Sequence, residues 1–263
     1  MKFVKMQGLG NDYIYFYSDE ERNWNELSAN LSDRHFGIGS DGIIVISSSK
    51  VADFKMRIFN ADGSEAKMCG NGIRCVGKYV YDHHLTKKTA LSIETLSGIK
   101  HLKLVVKDCY VTDVSVQMGK SVVEDKKIFN FLNNKISYYP VNVGNSHAVI
   151  LCDDAESDLL EEIGKAFQYS PDYQDGINVE LVSKIDGGKL RMRVCERGSG
   201  ITLACGTGAC AAVSAATYEG LIPYGKEIEI VLDKGSLFIS VDREGFVTMK
   251  GNAVTVFEGE VDI

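Results

Sequence analysis

The sequence predicts a mixed α/β protein made of two homologous domains, and two observations predict it. First, one stretch occurs twice. Lys55-Met56-Arg57-Ile58-Phe59-Asn60 leads to Met68-Cys69-Gly70-Asn71-Gly72, and Arg191-Met192-Arg193-Val194-Cys195-Glu196 leads to Ala204-Cys205-Gly206-Thr207-Gly208. In both copies the cysteine stands nine residues after the end of the leading run, and the copies lie 136 positions apart. Second, two upstream landmarks recur at a separation of 134, Gly10-Asn11 with Gly144-Asn145 and Asp41-Gly42-Ile43 with Asp175-Gly176-Ile177. A two-residue insertion near Gly187-Gly188 would reconcile the two offsets. A repeat this long means paired domains rather than a short-period solenoid. The expected domains are 1–117 and 118–252, with the tail 253–263 returning to the first.

Residues 2–6 and 12–17 are rich in aromatic and branched side chains and read as strands, joined by a turn at Gly8-Leu9-Gly10-Asn11. Trp24 to Arg34 has helical spacing, with Trp24, Leu27 and Leu31 on one face. After a loop at 37–42, the apolar run Ile43 to Ile46 reads as a buried strand, and Lys55 to Phe59 as another. Asn71 to Tyr81 reads as a helix. Strands near 90–94, 100–106 and 110–117 follow without helices between them. The polar segment 119–135 has no usable period and marks the crossing to the second half. From Ile136 the pattern restarts: a strand, a Gly-Asn turn, a strand at 148–151, and a helix near 157–167. A strand at 189–195, a helix at 207–219, and strands near 226–232, 236–241 and 246–250 complete the copy. The helix after Cys205 is built of Ala209, Cys210, Ala211, Ala212, Ser214, Ala215 and Ala216. So slender an outline suits a helix enclosed by strands.

Composition narrows the function classes. A chain of 263 residues with 44% hydrophobic and 25% charged content can bury a real core. Net charge of −7 supplies no basic footprint, which argues against nucleic acid as a partner. No apolar stretch is long enough for a membrane helix. The odd count of seven cysteines fits free thiols in a reducing cytoplasm. The intervals between Cys69 and Cys75 and between Cys205 and Cys210 are poor for a zinc site, so no metal is expected.

A cysteine directly before Gly-x-Gly at a helix start has two consequences. The unpaired N–H groups and the positive dipole end favour a thiolate, so both thiol pKa values are expected below the ordinary value of about 8.5. The glycines let backbone N–H groups approach an anion such as a substrate carboxylate. Two thiols flanking one carbon could act as base on one face and acid on the other, with the enolate charge stabilised between helix ends. Any single cysteine is more often core than catalytic, and that reading is applied to Cys75, Cys109, Cys152, Cys195 and Cys210. The shared motif separates Cys69 and Cys205 from them. Asn11 and Asn145 could be plain turn residues, yet they recur as Gly-Asn. His147 could be an ordinary strand histidine. Glu196 occupies the position of Asn60, which favours a site over a surface pair with Arg197. His83-His84 reads as a solvated helix end.

These residues resemble the diaminopimelate epimerase family nearly end to end. The resemblance rests on Gly8-Leu9-Gly10-Asn11-Asp12, Arg34-His35-x-Gly37-Ile38-Gly39-x-Asp41-Gly42 and Phe59-Asn60-Ala61-Asp62-Gly63-Ser64-Glu65. It continues through Cys69-Gly70-Asn71-Gly72-x-Arg74-Cys75, Val143-Gly144-Asn145-x-His147, Glu196-Arg197-Gly198 and Ala204-Cys205-Gly206-Thr207-Gly208. It implies an α+β fold of two pseudo-symmetric domains, each a curved, mostly antiparallel sheet around a central helix, with the active site in the interdomain cleft. It also implies cofactor-independent interconversion of LL- and meso-diaminopimelate, an isomerase activity of lysine and cell-wall precursor synthesis, in a cytoplasmic homodimer. Cys69 and Cys205 match the acid and base, and His147 and Glu196 match groups that assist them. Asn11, Asn60, Asn145, Asn178, Glu196 and Arg197 match substrate-holding positions, and Gly70-Asn71 and Gly206-Thr207 the grip on the reacting carboxylate. The sequence departs from the family at Tyr13, where phenylalanine is common, and at Gly42, where some members carry a glutamine. Alternatives are a racemase of another amino acid on the same fold, or a thiol redox protein cycling Cys69 and Cys205.

Overall fold

The computed structural model describes residues 1–132, 134–185 and 188–262. The chain divides into two compact units, 1–116 with 250–263, and 117–249.

The first unit contains β1 (Lys2–Gly8), β2 (Asn11–Tyr17), α1 (Trp24–Ser32), β3 (Gly42–Ser47), β4 (Phe54–Asn60) and β5 (Glu65–Ala66). It continues with α2 (Gly70–Asp82), β6 (Ala90–Thr95), β7 (Gly98–Lys107) and most of β8 (Tyr110–Lys120). The second holds β9 (Val122–Val123), β10 (Lys127–Phe131), β11 (Asn134–Asn142), β12 (Ser146–Leu151), α3 (Leu160–Gln168) and a 3-10 turn at Pro171–Tyr173. Then come β13 (Asn178–Ile185), β14 (Lys189–Glu196), β15 (Gly200–Thr202), α4 (Gly206–Tyr218), β16 (Ile228–Leu232), β17 (Gly235–Val241) and the start of β18 (Phe246–Asn252). Beyond β18, β19 (Val254–Glu260) belongs to the first unit and pairs antiparallel with β1.

Strand pairing repeats step for step. In the first unit β1/β2, β3/β4, β4/β5 and β6/β7 are antiparallel, while β2/β3 and β4/β6 are parallel. In the second β11/β12, β13/β14, β14/β15 and β16/β17 are antiparallel, while β12/β13 and β14/β16 are parallel. The parallel steps are the ones that carry a crossover helix, as parallel pairing requires.

Period-two alternation splits each sheet into two faces. Ile14, Phe16, Ile43, Val45 and Phe59 pack with Trp24 and Leu31 of α1. Ala148, Ile150, Val179, Leu181 and Cys195 pack with Leu160, Ile163 and Phe167 of α3. The opposite faces receive α2 and α4. Within α4 only Thr207 and Tyr218 escape burial, and the helix packs against β9, β11, β12, β13, β14, β16 and β17. That confirms the enclosed helix its small side chains implied.

Four expectations need correction. The register pairs Ile14 with Ile43 but Ala148 with Val179. The repeat offset therefore changes from 134 to 136 between Ala148 and Val179, ahead of β13, so the insertion is not near 187–188. Gly187 itself lies outside the described residues. Asn178, not Gly176, is thus the counterpart of Gly42. Second, β13 is a strand that the hydrophobic pattern missed, because Glu180 interrupts its apolar run. Third, β10 pairs antiparallel with β11, although the segment 119–135 showed no usable period. Fourth, Cys109 is exposed, in the turn before β8, and is not a core cysteine. No helix among the described residues is long and apolar enough to cross a membrane.

Candidate active site

In both units the cysteine is the N-cap of the buried helix. Cys69 and Cys205 have extended backbones, and each sulfur accepts the N–H of the third helical residue, Gly72 or Gly208, at 3.3 Å. The chain folds this way because a capping acceptor satisfies one of the orphan N–H groups of the first turn. Glycine leaves room at that third position. A methyl at Gly72 would come within 2.6 Å of Ile44 Cδ1, and one at Gly208 within 2.8 Å of Glu180 Oε1.

Around Cys69, the thiol donates to Asn11 Oδ1 at 3.2 Å. Asn11 is oriented by Asp41, whose Oδ2 accepts its Nδ2–H at 2.7 Å, and Asp41 in turn accepts from Arg34 at 3.0 Å. Tyr13 stands near Cys69, and its burial and the nearby sulfur push its hydroxyl pKa up. Asn71 is buried, and its Oδ1 has no partner among the described residues. Asn60 ends β4, half-buried, and donates to Ser64 Oγ at 3.0 Å; among the described residues no side-chain bond joins it to the Cys69 group. Gly70 opens α2 beside the sulfur.

Around Cys205, Thr207 Oγ1 lies 3.5 Å from the sulfur and accepts from Asn145 Nδ2 at 3.4 Å. Asn145 Oδ1 meets His147 Nε2 at 3.0 Å, so His147 reaches the thiol through two intermediaries. His147 Nδ1 lies 2.6 Å from Glu180 Oε1. Glu196, at the end of β14, accepts a hydrogen bond from Thr202 and acts on Cys205 by its charge. Asn178 accepts the backbone N–H of Arg197 at 2.9 Å. The exposed Arg197 side chain crosses Gly176 and donates to the Asp175 carbonyl, whose strand-leading turn needs Gly176 at φ +72°. Gly206 is buried at the first position of α4.

The expectation of lowered thiol pKa values is overturned. Burial pushes Cys69 up, and the Gly72 and Asn71 N–H groups, Tyr13 and Arg74 only partly oppose it. Burial pushes Cys205 well up, Glu196 and Glu180 add to it by like charge, and Thr207 and the Gly208 N–H work the other way. Desolvation of the charged form outweighs the helix start. Sequence reasoning also left Asp41 without a role and passed over Glu180. A charged residue inside an otherwise apolar strand was the available signal for the second. Among the described residues there is no cluster of three or more His, Cys, Asp or Glu side chains placed to hold a metal ion.

Comparison with known proteins follows the same lines. The family profile described as diaminopimelate epimerase matches residues 3–124 and 139–256. A protein named diaminopimelate epimerase from Methanococcus maripaludis strain C5 is 46% identical over 279 aligned positions, covering 100% of both chains. Another of that name from Acetivibrio thermocellus is also 46% identical, covering 100% of this chain and 99% of its own. Among solved structures, a probable proline racemase from Agrobacterium radiobacter has the same fold, with a TM-score of 0.77 over 100% of this chain and 93% of its own, at 14% identity.

Proposed function

The chain belongs to the diaminopimelate epimerase family, and from that premise we propose that it inverts one α-carbon of LL-2,6-diaminopimelate to give the meso isomer. The reaction uses Cys69 and Cys205 as a joint acid–base pair. One sulfur, as thiolate, takes the α-proton. The other gives its S–H proton to the opposite face, and the two exchange protonation states with each inversion. The observation that carries this reading is the duplicated cap: two cysteines, each at the start of an enclosed helix, each with its sulfur held by the N–H two residues beyond the glycine that follows it.

Raised pKa values fit the chemistry. Burial disfavours the thiolate that starts the reaction, and the helix-start N–H groups compensate its charge locally. The N–H groups at Gly70-Asn71 and Gly206-Thr207 are the candidates for gripping the reacting carboxylate. Asn11, Asn60, Asn145, Asn178, Glu196 and Arg197 are the candidates for holding the rest of the substrate, Arg197 by the fork geometry that suits a second carboxylate. His147 and Glu196 assist Cys205. The proposal includes independence from pyridoxal phosphate and metal, a homodimer, a place in lysine biosynthesis and a cytoplasmic setting, which free thiols support.

The test is conversion of LL-diaminopimelate in deuterated water, followed by deuterium entry at the α-carbon and appearance of the meso isomer. Proline serves as the competing substrate. Cys69→Ala and Cys205→Ala should each remove inversion while leaving the fold unchanged by circular dichroism. Wild-type turnover in both variants, or exchange on proline alone, would refute the assignment.

A further inference from the structure

Two titratable side chains are wholly enclosed on the α4 face of the second sheet, and the proposed chemistry does not account for one of them. Glu180 and His147 are each 0% exposed. Glu180 Oε2 has no hydrogen-bond partner among the described residues. Burial pushes the Glu180 pKa up, with His147 opposing it. An acid in such a place costs stability unless it is paired, and its one side-chain partner among the described residues is His147.

The duplication shows that packing does not ask for an acid there. Val149 pairs with Glu180 as Tyr15 pairs with Ile44, so isoleucine fills the matching position in the first unit. Both side chains sit against the glycine whose N–H the cysteine caps, Ile44 against Gly72 and Glu180 against Gly208. One slot takes an aliphatic side chain behind Cys69 and a carboxylic acid behind Cys205.

Donor and acceptor accounting gives the acid a task. The amide oxygen Asn145 Oδ1 can only accept, so the His147 Nε2 that faces it is the donor. That Nε2–H donates to Asn145 Oδ1 at 3.0 Å, which turns Asn145 Nδ2 toward Thr207 Oγ1 at 3.4 Å. The Thr207 O–H is left to donate to the Cys205 sulfur at 3.5 Å. We propose that Glu180 is a positioning residue: its bond to Nδ1 fixes the His147 ring so that a one-way chain of donors ends on Cys205. This rests on the reading of Cys205 as an acid–base thiol.

The test compares Glu180→Ile, the residue of the first unit, with Glu180→Gln, whose amide can still donate to Nδ1. In Glu180→Ile the ring loses its anchor, and kcat should fall at least about tenfold with KM within about twofold. Its melting temperature should fall, since His147 Nδ1 is left buried without its partner, so kcat is read where circular dichroism shows the variant folded. Glu180→Gln should keep kcat within about threefold of wild type. In the unaltered, nitrogen-15-labelled protein, the His147 ring spectrum should show hydrogen on Nε2, a measurement that stands even if Glu180→Ile does not fold. Wild-type kcat in Glu180→Ile, equal impairment of the two variants, or a ring protonated on Nδ1 alone would each overturn the proposal. Cys205→Ala separates the layers. Inversion surviving in it would overturn the thiol reading, whereas its loss beside a fully active Glu180→Ile would overturn only the role of Glu180.

Discussion

Two sulfurs with the same backbone geometry meet different neighbours. Cys69 faces neutral Tyr13 and the Asn11 amide, while Cys205 faces two carboxylates and a relay of polar groups. For both, the folded pKa lies above the unfolded one, so the folded chain holds these protons to higher pH. Stability from the neutral thiols is complete below the unfolded value of about 8.5 and is lost as pH rises through the folded values. Thermal melts between about pH 7 and 10 should show a falling midpoint, and Cys205→Ala should flatten the fall. A midpoint that climbs over this range would count against burial as the dominant influence. The same order should appear in alkylation by iodoacetamide read by peptide mass, with Cys69 reacting at lower pH than Cys205. The two cysteines were legible in the sequence from motif and spacing, but their pKa direction was not. A helix start is visible in a sequence, whereas the degree of desolvation depends on residues distant along the chain.

At the level of elements, α2 and α4 share length and cap but differ in what stands behind their third residue. Gly72→Ala would press on the ends of Ile44 and Met56, which can swing aside. Gly208→Ala would press on Glu180 Oε1, which His147 holds. Each should cost about 1–3 kcal/mol of stability as overpacking, measured by urea denaturation. Gly208→Ala should also lower kcat by the larger factor, and equal kcat losses would argue that the Glu180 contact is incidental. The helices and most strands were readable from period and turn residues. β13 was not, because its alternation is confined to Asn178–Leu181 and its polar members Asn178 and Glu180 are buried on the face that the other strands fill with apolar side chains. The missed strand and the polar pair behind Cys205 have one cause. A function-bearing residue broke the pattern on which strand recognition depends.

For the whole molecule, the chain leaves the first unit within β8 and re-enters it within β18, so that unit is assembled from 1–116 and 250–263. β19 covers the edge of β1 and brings Phe257 edge-on to Phe3 at 5.9 Å. Removing residues 254–263 should expose that edge. With several backbone hydrogen bonds lost at about 0.5–1.5 kcal/mol each, the melting temperature should drop by on the order of 10 °C, and aggregation should increase. An unchanged melting temperature would mean that β19 adds little to the first unit. The duplication was legible as a motif, while the position of its insertion required strand register, since sequence landmarks such as Asp-Gly-Ile recur in turns that are not equivalent.

The late return of β19 orders events during synthesis on the ribosome. Residues 117–249 emerge as an uninterrupted block and can complete their sheet while translation continues. β1, made before that block, gains its β19 neighbour only after the block has been made, so the first unit completes its sheet after the second.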